Sequence, residues 1–209
     1  PDNEFSRMQK RFYTDEAKNW SPENRDPVVG SFDAHNEHKD YDLLFEGLDT
    51  EGKIALDFGT GPGRNLVKFS KLFSRIDGVD ISLENLIHAQ DWCMINRVPA
   101  PTLYLSNGVD LTEVPGDYYD VVFSTICLQH IPVHEIRYNL FTEFFRVLKP
   151  GGWFTAQMGY GYEGDSRGAY YLDNKYDAGG TNGRCDVVVH DAGDLGTDLE
   201  KSGFINFKH

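Results

Sequence analysis

The sequence predicts an α/β fold with a doubly wound, mostly parallel sheet, helices on both faces and an N-terminal helical cover. From Lys53 onwards, short runs of β-branched and aromatic residues alternate with helical patterns, and this order is typical of a parallel sheet. Before Lys53 the apolar residues recur at helical spacing and no strand-like run occurs. The 209 residues suit one structural domain.

The N-terminal cover is predicted over residues 1–50. A first helix is expected at 3–20, where aromatic residues and a methionine share one face. A loop with two prolines follows, and a second helix is expected at 35–48. The core is then assigned to residues 51–209.

The core is predicted to alternate strands with helices. The predicted strands are 53–58, 75–80, 102–106, 119–124, 153–158, 186–189 and 204–208. The predicted helices are 64–73, 82–97, which Ser82 would cap, 133–148 and 194–202. Residues 159–185, rich in Gly and Tyr, are predicted to form an insertion that acts as a lid.

The stretch IALDFGTGPGRN holds the strongest functional signal. Asp57 ends the first strand, and Gly59, Gly61 and Gly63 follow at every second position, so another molecule can approach the backbone closely. The dinucleotide fingerprint G-x-G-x-x-G would need its third glycine where Arg64 stands. An acid beside this loop disfavours a diphosphate and favours a ligand that carries an amino group and a sulfonium.

This stretch resembles motif I of the class I S-adenosylmethionine-dependent methyltransferases, whose loop reads acid-x-G-x-G-x-G. The segments GVDIS, SNGVDL, YDVVFSTICLQHIP and FFRVLKPGGWFTA resemble later motifs of that family, in the expected order between about 54 and 158. The resemblance implies a Rossmann-like fold, S-adenosylmethionine as cofactor, and transfer of a methyl group to a small molecule.

The resemblance also implies the residues that hold the cofactor. They are Asp57, Gly59, Thr60, Gly61, Gly63, Arg64, Asp80, Ile81, Asn107, Gly108, Val109, Ser124, Thr125 and Gln129. Asp80 follows Gly61 at the spacing of an acid that binds ribose hydroxyls, with Ile81 against the adenine face. Asn107 can both donate to and accept from the adenine edge. Arg64 either pairs with the carboxylate of the cofactor or is a solvated surface charge.

The methyl acceptor is expected between the cover and the insertion. The residues proposed to contact it are Tyr13, Trp20, His35 and Tyr160. His130, after the fourth strand, is the candidate general base because a histidine titrates near neutrality; the alternative is a structural role. His35 and His38 stand three residues apart among acids, but no second ligand cluster supports a metal, and no metal is expected.

Composition restricts the class of partner. The net charge of −13 disfavours nucleic acid, which needs clustered Lys and Arg. No apolar run approaches the roughly 20 residues that cross a bilayer, and no signal peptide opens the chain, so we expect a cytoplasmic location without membrane contact. The three cysteines form no CxxC pair and are expected to be unpaired thiols. The oligomeric state is expected to be a monomer or a homodimer.

Two other functions remain open at the level of sequence. One is a nicotinamide-dependent oxidoreductase, which Gly63, Arg64 and Asp57 disfavour. The other is a partner subunit that binds the cofactor without catalysis. Transfer to oxygen and transfer to nitrogen are not distinguished. The strand at 204–208 would be the sixth of the sheet, and we expect residues beyond His209 to supply a seventh.

Overall fold

The computed structural model describes residues 4–21, 23–24, 43–161, 169–181, 183 and 185–209. Its centre is a five-stranded sheet in the order β3-β2-β1-β4-β5. The strands are β1 Ile54–Phe58, β2 Arg75–Asp80, β3 Leu103–Leu105, β4 Tyr119–Ser124 and β5 Leu148–Ala156. All four pairings are parallel, so the predicted fold class is confirmed. The order of the strands reverses between β1 and β4, where ligands bind in such sheets.

Helices flank this sheet. They are α1 Glu4–Ala17, α2 Arg64–Lys68, α3 Leu83–Ile95, α4 His134–Val147 and α5 Ala192–Lys201. The helix α2 is shorter than the helix predicted at 64–73. Within the expected helix at 35–48, residues up to 42 lie outside the described part of the chain, and 43–45 form one 3₁₀ turn. No helix of the described residues is long and apolar enough to cross a membrane.

Two hydrophobic clusters cover the two faces of the sheet. In β1, Leu56 belongs to one cluster and its neighbour Ala55 to the other. The reason is that successive side chains of a strand point to opposite faces of the sheet. In β4, Val122 and Phe123 separate in the same way. The cluster with Leu56 includes residues of α4, and the other includes residues of α2 and α3. Helices therefore lie on both faces.

The helix α1 is fastened to α3 and to the turn before it. Nε2 of His88 lies 2.9 Å from the carbonyl oxygen of Ala17, and the hydroxyl of Thr14 donates to that of Ser82 at 3.2 Å. Ser82 is the N-cap of α3, as predicted, since its hydroxyl accepts from the backbone NH of Asn85 at 3.3 Å. These contacts place α1 across the carboxyl ends of the strands.

The insertion carries a second, smaller sheet. Strands β6 Gly159–Tyr160, β7 Ala169–Tyr170 and β8 Val187–Val189 pair in parallel in the order β6-β8-β7. The strand predicted at 186–189 is therefore present in this separate sheet. Tyr171, next to β7, is 3% exposed, and its hydroxyl donates to Asp198 of α5 at 2.7 Å. The described part of the insertion is thus packed on the core.

The strand predicted at 204–208 is not formed, and this prediction was wrong. Gly203 and Asn206 have φ values of 107° and 61°, which turn the chain. Phe204 packs on Phe145 and Phe154, with ring centroids 5.4 and 5.7 Å away. The apolar character of 204–208 therefore reflects the packing of Phe204 on α4 and β5, not the pairing of a strand with β5.

Candidate functional site

A cleft of about 550 Å³ opens at the carboxyl ends of β1, β2 and β4, with α1 as its opposite wall. It is lined by eleven residues that the sequence analysis predicted to bind the cofactor, the acceptor or a proton. They are Tyr13, Trp20, Gly59, Thr60, Gly61, Arg64, Asp80, Ile81, Gly108, Thr125 and His130. The sequence motifs are far apart in the chain, and the parallel sheet brings them to one edge.

The glycine loop is tied to the neighbouring strand and open towards the cleft. The backbone NH groups of Gly59 and Thr60 both donate to the carbonyl of Val79, each at 2.9 Å. Gly61 lines the cleft with a φ of 53°, and a Cβ placed there would meet no heavy atom within 4 Å. This open backbone fits a ligand that approaches the main chain closely.

Gly63 has a different role from the one predicted. It does not line the cleft, and with a φ of 87° it caps α2. A Cβ at this position would lie 2.8 Å from the Cα of Ala89 in α3. The third glycine of the motif therefore permits α2 to pack against α3, and its contact with a cofactor stays a prediction.

Asp80 organises the loop as well as lining the cleft. One carboxylate oxygen accepts from the backbone NH of Gly61 at 2.8 Å. The other accepts from the backbone NH of Ser82 at 2.9 Å and from the side-chain amide of Asn85 at 3.0 Å. Burial raises the pKa of Asp80, and these hydrogen bonds oppose that rise. The acid at the end of β2 is thus held rigidly at the edge of the cleft.

Asp57 lies beneath the loop and does not line the cleft. It is fully buried, and burial raises its pKa from 3.8 to about 7, against the lowering effects of Thr60, Arg64 and Asn65. The side-chain amide of Asn65 donates to it at 3.4 Å. The acid of the motif therefore supports the loop from inside the protein, and its direct contact with a cofactor stays a prediction.

The pKa of Asp57 predicts how stability depends on pH. Between about pH 4 and 7 the folded protein keeps a proton that the unfolded chain has lost, so the free energy of unfolding falls as pH rises, by about 1.4 kcal/mol per unit and by ~4 kcal/mol in all. Asp57→Asn lacks this contribution. Urea unfolding of the ligand-free proteins at about pH 5 and pH 8 measures it. Parallel changes in wild type and variant would contradict the prediction.

Arg64 is buried in the wall of the cleft. Its guanidinium donates to the hydroxyl of Thr125 at 3.0 Å, and the side chain of Asn65 donates to the same hydroxyl at 2.8 Å. Burial rules out the alternative of a solvated surface charge. The cleft therefore contains a fixed cation beside the glycine loop.

Four further predicted cofactor residues lie outside the cleft. Asn107 is exposed, and its Oδ1 accepts from the backbone NH groups of Val109 and Asp110 at 2.8 and 3.0 Å. Its carboxamide thus closes a turn. Val109 belongs to the hydrophobic core. Ser124 donates to the carbonyl of Phe58 at 2.9 Å.

Gln129 also lies outside the lining of the cleft. Its Cβ approaches Gly159, so it lies against the start of the insertion. From the turn that contains Asn107, Ser106 and Gly108 line the cleft instead. Asn107, Val109, Ser124 and Gln129 thus do not line the cleft, and their contact with a cofactor stays a prediction.

The acceptor side of the cleft is formed by α1 and the residues after it. Tyr13 and Trp20 line it as predicted. Gln9, Glu16 and Asn19 do so as well, and the sequence analysis missed them because it followed only the aromatic residues of this segment. Tyr160 is 77% exposed and outside the cleft, and its contact with an acceptor stays a prediction. His35 lies outside the described residues.

His130 lines the cleft and contacts an acid that the sequence analysis missed. Its Nδ1 lies 2.7 Å from a carboxylate oxygen of Asp186. Its carbonyl accepts from the side-chain amide of Gln9 at 2.6 Å. No spacing in the sequence indicates the pair, because the two residues come together only when β8 packs beside the loop after β4. Within the described ranges, no group of three His, Cys, Asp or Glu side chains could hold a metal.

Comparison with known proteins agrees with the fold. Residues 56–156 match the family model described as a methyltransferase domain. This part of the chain is therefore similar to a methyltransferase domain, and the fold is that of the class I S-adenosylmethionine-dependent methyltransferases.

Relatives differ in what they act on. Phosphoethanolamine N-methyltransferase 2 of Caenorhabditis elegans is 26% identical over 159 residues, which are 74% of this chain and 33% of the worm protein. A probable methyltransferase of Aspergillus luteorubrus is 35% identical over 104 residues, 46% of this chain and 36% of the fungal protein. The chain thus spans about a third of the length of these curated relatives.

A solved structure shares the fold. Geranyl diphosphate C-methyltransferase from Streptomyces coelicolor, in complex with Mg²⁺, geranyl diphosphate and S-adenosyl-L-homocysteine, superposes with a TM-score of 0.66 at 16% identity. The superposition covers 97% of this chain and 78% of that chain.

Proposed function

We propose that the protein binds S-adenosylmethionine in the cleft and transfers its methyl group to an oxygen or nitrogen atom of a small molecule. The observation that carries the proposal is the glycine loop, open at Gly61, with buried Asp80 and buried Arg64 beside it. An acid, a cation and bare backbone match the ribose hydroxyls, carboxylate and amino group of this cofactor.

Each residue of the cleft has a role in this proposal. Asp80 would accept hydrogen bonds from the ribose hydroxyls, and Ile81 would lie against the adenine. Ser106 and Gly108 line the cleft where Asn107 does not, so we assign the adenine edge to that pair. Arg64 would bind the carboxylate of the cofactor through its guanidinium.

The bound cofactor supplies an activated methyl group on a sulfonium. The residues of the chain must then align the acceptor and take its proton, and alignment can lower the barrier by ~7–11 kcal/mol. The oxygen or nitrogen of the acceptor would take the methyl group as the sulfonium becomes a thioether, and Nε2 of His130 would take the proton that the acceptor gives up. Tyr13 and Trp20 give the acceptor side aromatic walls, which suit a planar molecule or an ammonium group.

Transfer is tested by measuring S-adenosylhomocysteine formed from S-adenosylmethionine with a panel of phenols, alcohols and amines. We expect an O- or N-methylated product, with a rate that falls ~10²–10⁴-fold in His130→Gln. Binding of the cofactor without turnover on any member would favour the non-catalytic partner subunit. A product methylated on carbon would contradict the assignment of an oxygen or nitrogen acceptor.

The remaining expectations concern setting and partners. The net charge of −13 supports a small molecule over nucleic acid as the partner. A cytoplasmic location and a monomeric or homodimeric state stay predictions.

A further inference from the structure

We propose that Asp186 is the positioning residue for His130. Its carboxylate, in contact with Nδ1, keeps the ring proton on that nitrogen and thereby leaves Nε2 as the nitrogen that receives the proton of the acceptor. The inference rests on the proposed function insofar as His130 acts on an acceptor. The contact itself is a property of the protein without ligands.

The two side chains are in contact at ion-pair distance, although the contact does not have the direction of an aligned hydrogen bond. Nδ1 of His130 lies 2.7 Å from Oδ1 of Asp186, and this nitrogen is shielded from solvent. The His130 side chain is 12% exposed, and that of Asp186 is 53% exposed. Because water screens the charge of this carboxylate, its main effect is to determine which nitrogen of the ring carries the proton.

Backbone contacts hold both partners in place. The carbonyl of Asp186 accepts from the backbone NH of Ala169 at 2.8 Å, immediately before β8 begins. The backbone NH of His130 donates to the carbonyl of Cys127 at 2.8 Å, and Gln9 binds the carbonyl of His130. Three parts of the chain therefore converge on the imidazole: α1, the loop after β4 and the residue that leads into β8.

The chemistry follows from what a carboxylate can do. An ionised carboxylate only accepts hydrogen bonds, so Nδ1 of a neutral His130 must carry the proton. The hydrogen bond at one ring nitrogen sets the state of the other, and Nε2, on the opposite side of the ring, then has the lone pair that a general base needs. Without this partner, the neutral ring is not restricted to that tautomer.

The small sheet thereby becomes part of the reacting centre. Asp186 belongs to the segment that forms β8, whereas His130 follows β4 of the main sheet. The base is oriented only when the small sheet is packed on the core. A chain whose insertion is displaced would keep the cofactor cleft and lose the orientation of the imidazole.

The test is the tautomer of His130, read by nitrogen-15 NMR of the full chain without an acceptor. The His130→Gln spectrum assigns the signals. We expect neutral His130 to carry its proton on Nδ1 in the wild type and in Glu200→Gln, a control that removes an exposed carboxylate of α5. In Asp186→Asn we expect that single tautomer to be lost, as when an amide replaces the carboxylate of a catalytic triad. An unchanged tautomer in Asp186→Asn would overturn the proposal.

Calorimetric titration of the same samples with S-adenosylhomocysteine separates the two hypotheses. If the wild type and Asp186→Asn both bind S-adenosylhomocysteine and the tautomer changes in the variant, the positioning role is supported. Binding together with an unchanged tautomer refutes that role alone. If the wild type binds no S-adenosylhomocysteine, the proposed function fails whatever the tautomer shows. With an acceptor in hand, Asp186→Asn should lower kcat ~10²–10⁴-fold with little change in KM.

Discussion

Asp80→Ala should lower the affinity for S-adenosylmethionine by ~10²–10⁴-fold. The substitution removes the acceptor for the ribose hydroxyls, and two hydrogen bonds to a charged group contribute roughly 3–6 kcal/mol. It also leaves the backbone NH groups of Gly61 and Ser82 and the amide of Asn85 without their acceptor. We therefore expect the free energy of unfolding to fall by about 1–3 kcal/mol as well.

Asp91→Ala is the matched control for this variant. Asp91 is an exposed acid of α3, so its loss changes the net charge equally without touching the cleft. Affinity is measured by calorimetry and stability by urea unfolding. If Asp80→Ala bound the cofactor as tightly as Asp91→Ala does, Asp80 would have no part in the site.

Gly63→Ala should destabilise the protein by roughly 2–5 kcal/mol. The left-handed backbone costs a residue with a Cβ about 1–2 kcal/mol, and overpacking adds about 1–3 kcal/mol. The added Cβ would lie 2.8 Å from the Cα of Ala89, so relief requires α2 and α3 to move apart. The measurement is the free energy of unfolding from urea titration.

Gly151→Ala separates the two causes. Gly151 also has a positive φ, 79°, but a Cβ there meets no heavy atom within 4 Å. This variant should lose only about 1–2 kcal/mol. Equal losses in the two variants would mean that backbone strain alone accounts for the effect, and that the contact with Ala89 does not restrict residue 63.

The fold and the cofactor side of the cleft are readable from the sequence for a physical reason. Strands in a parallel sheet all end at one edge, so the residues that follow them in the chain meet in space. This rule places Gly61, Asp80 and Thr125 around one cleft although they are far apart in sequence. It depends only on local patterns and on the direction of the strands.

Other features were not readable because long-range packing decides them. The carboxamide of Asn107 could have faced the cleft or closed its own turn, and the sequence is the same in both cases. Residues 204–208 have the apolar and aromatic composition of a strand, yet their aromatic side chains pack on the core. The contact between His130 and Asp186 depends on how the insertion lies against the sheet, which no motif records.

The measurement that tests the central claim most directly is a calorimetric titration of the protein with S-adenosylmethionine, S-adenosylhomocysteine and NAD. Micromolar binding of the first two ligands, without binding of NAD, is the predicted result. The same experiment with Asp80→Ala should show that the binding is lost. Binding of NAD alone would contradict the assignment and favour an oxidoreductase.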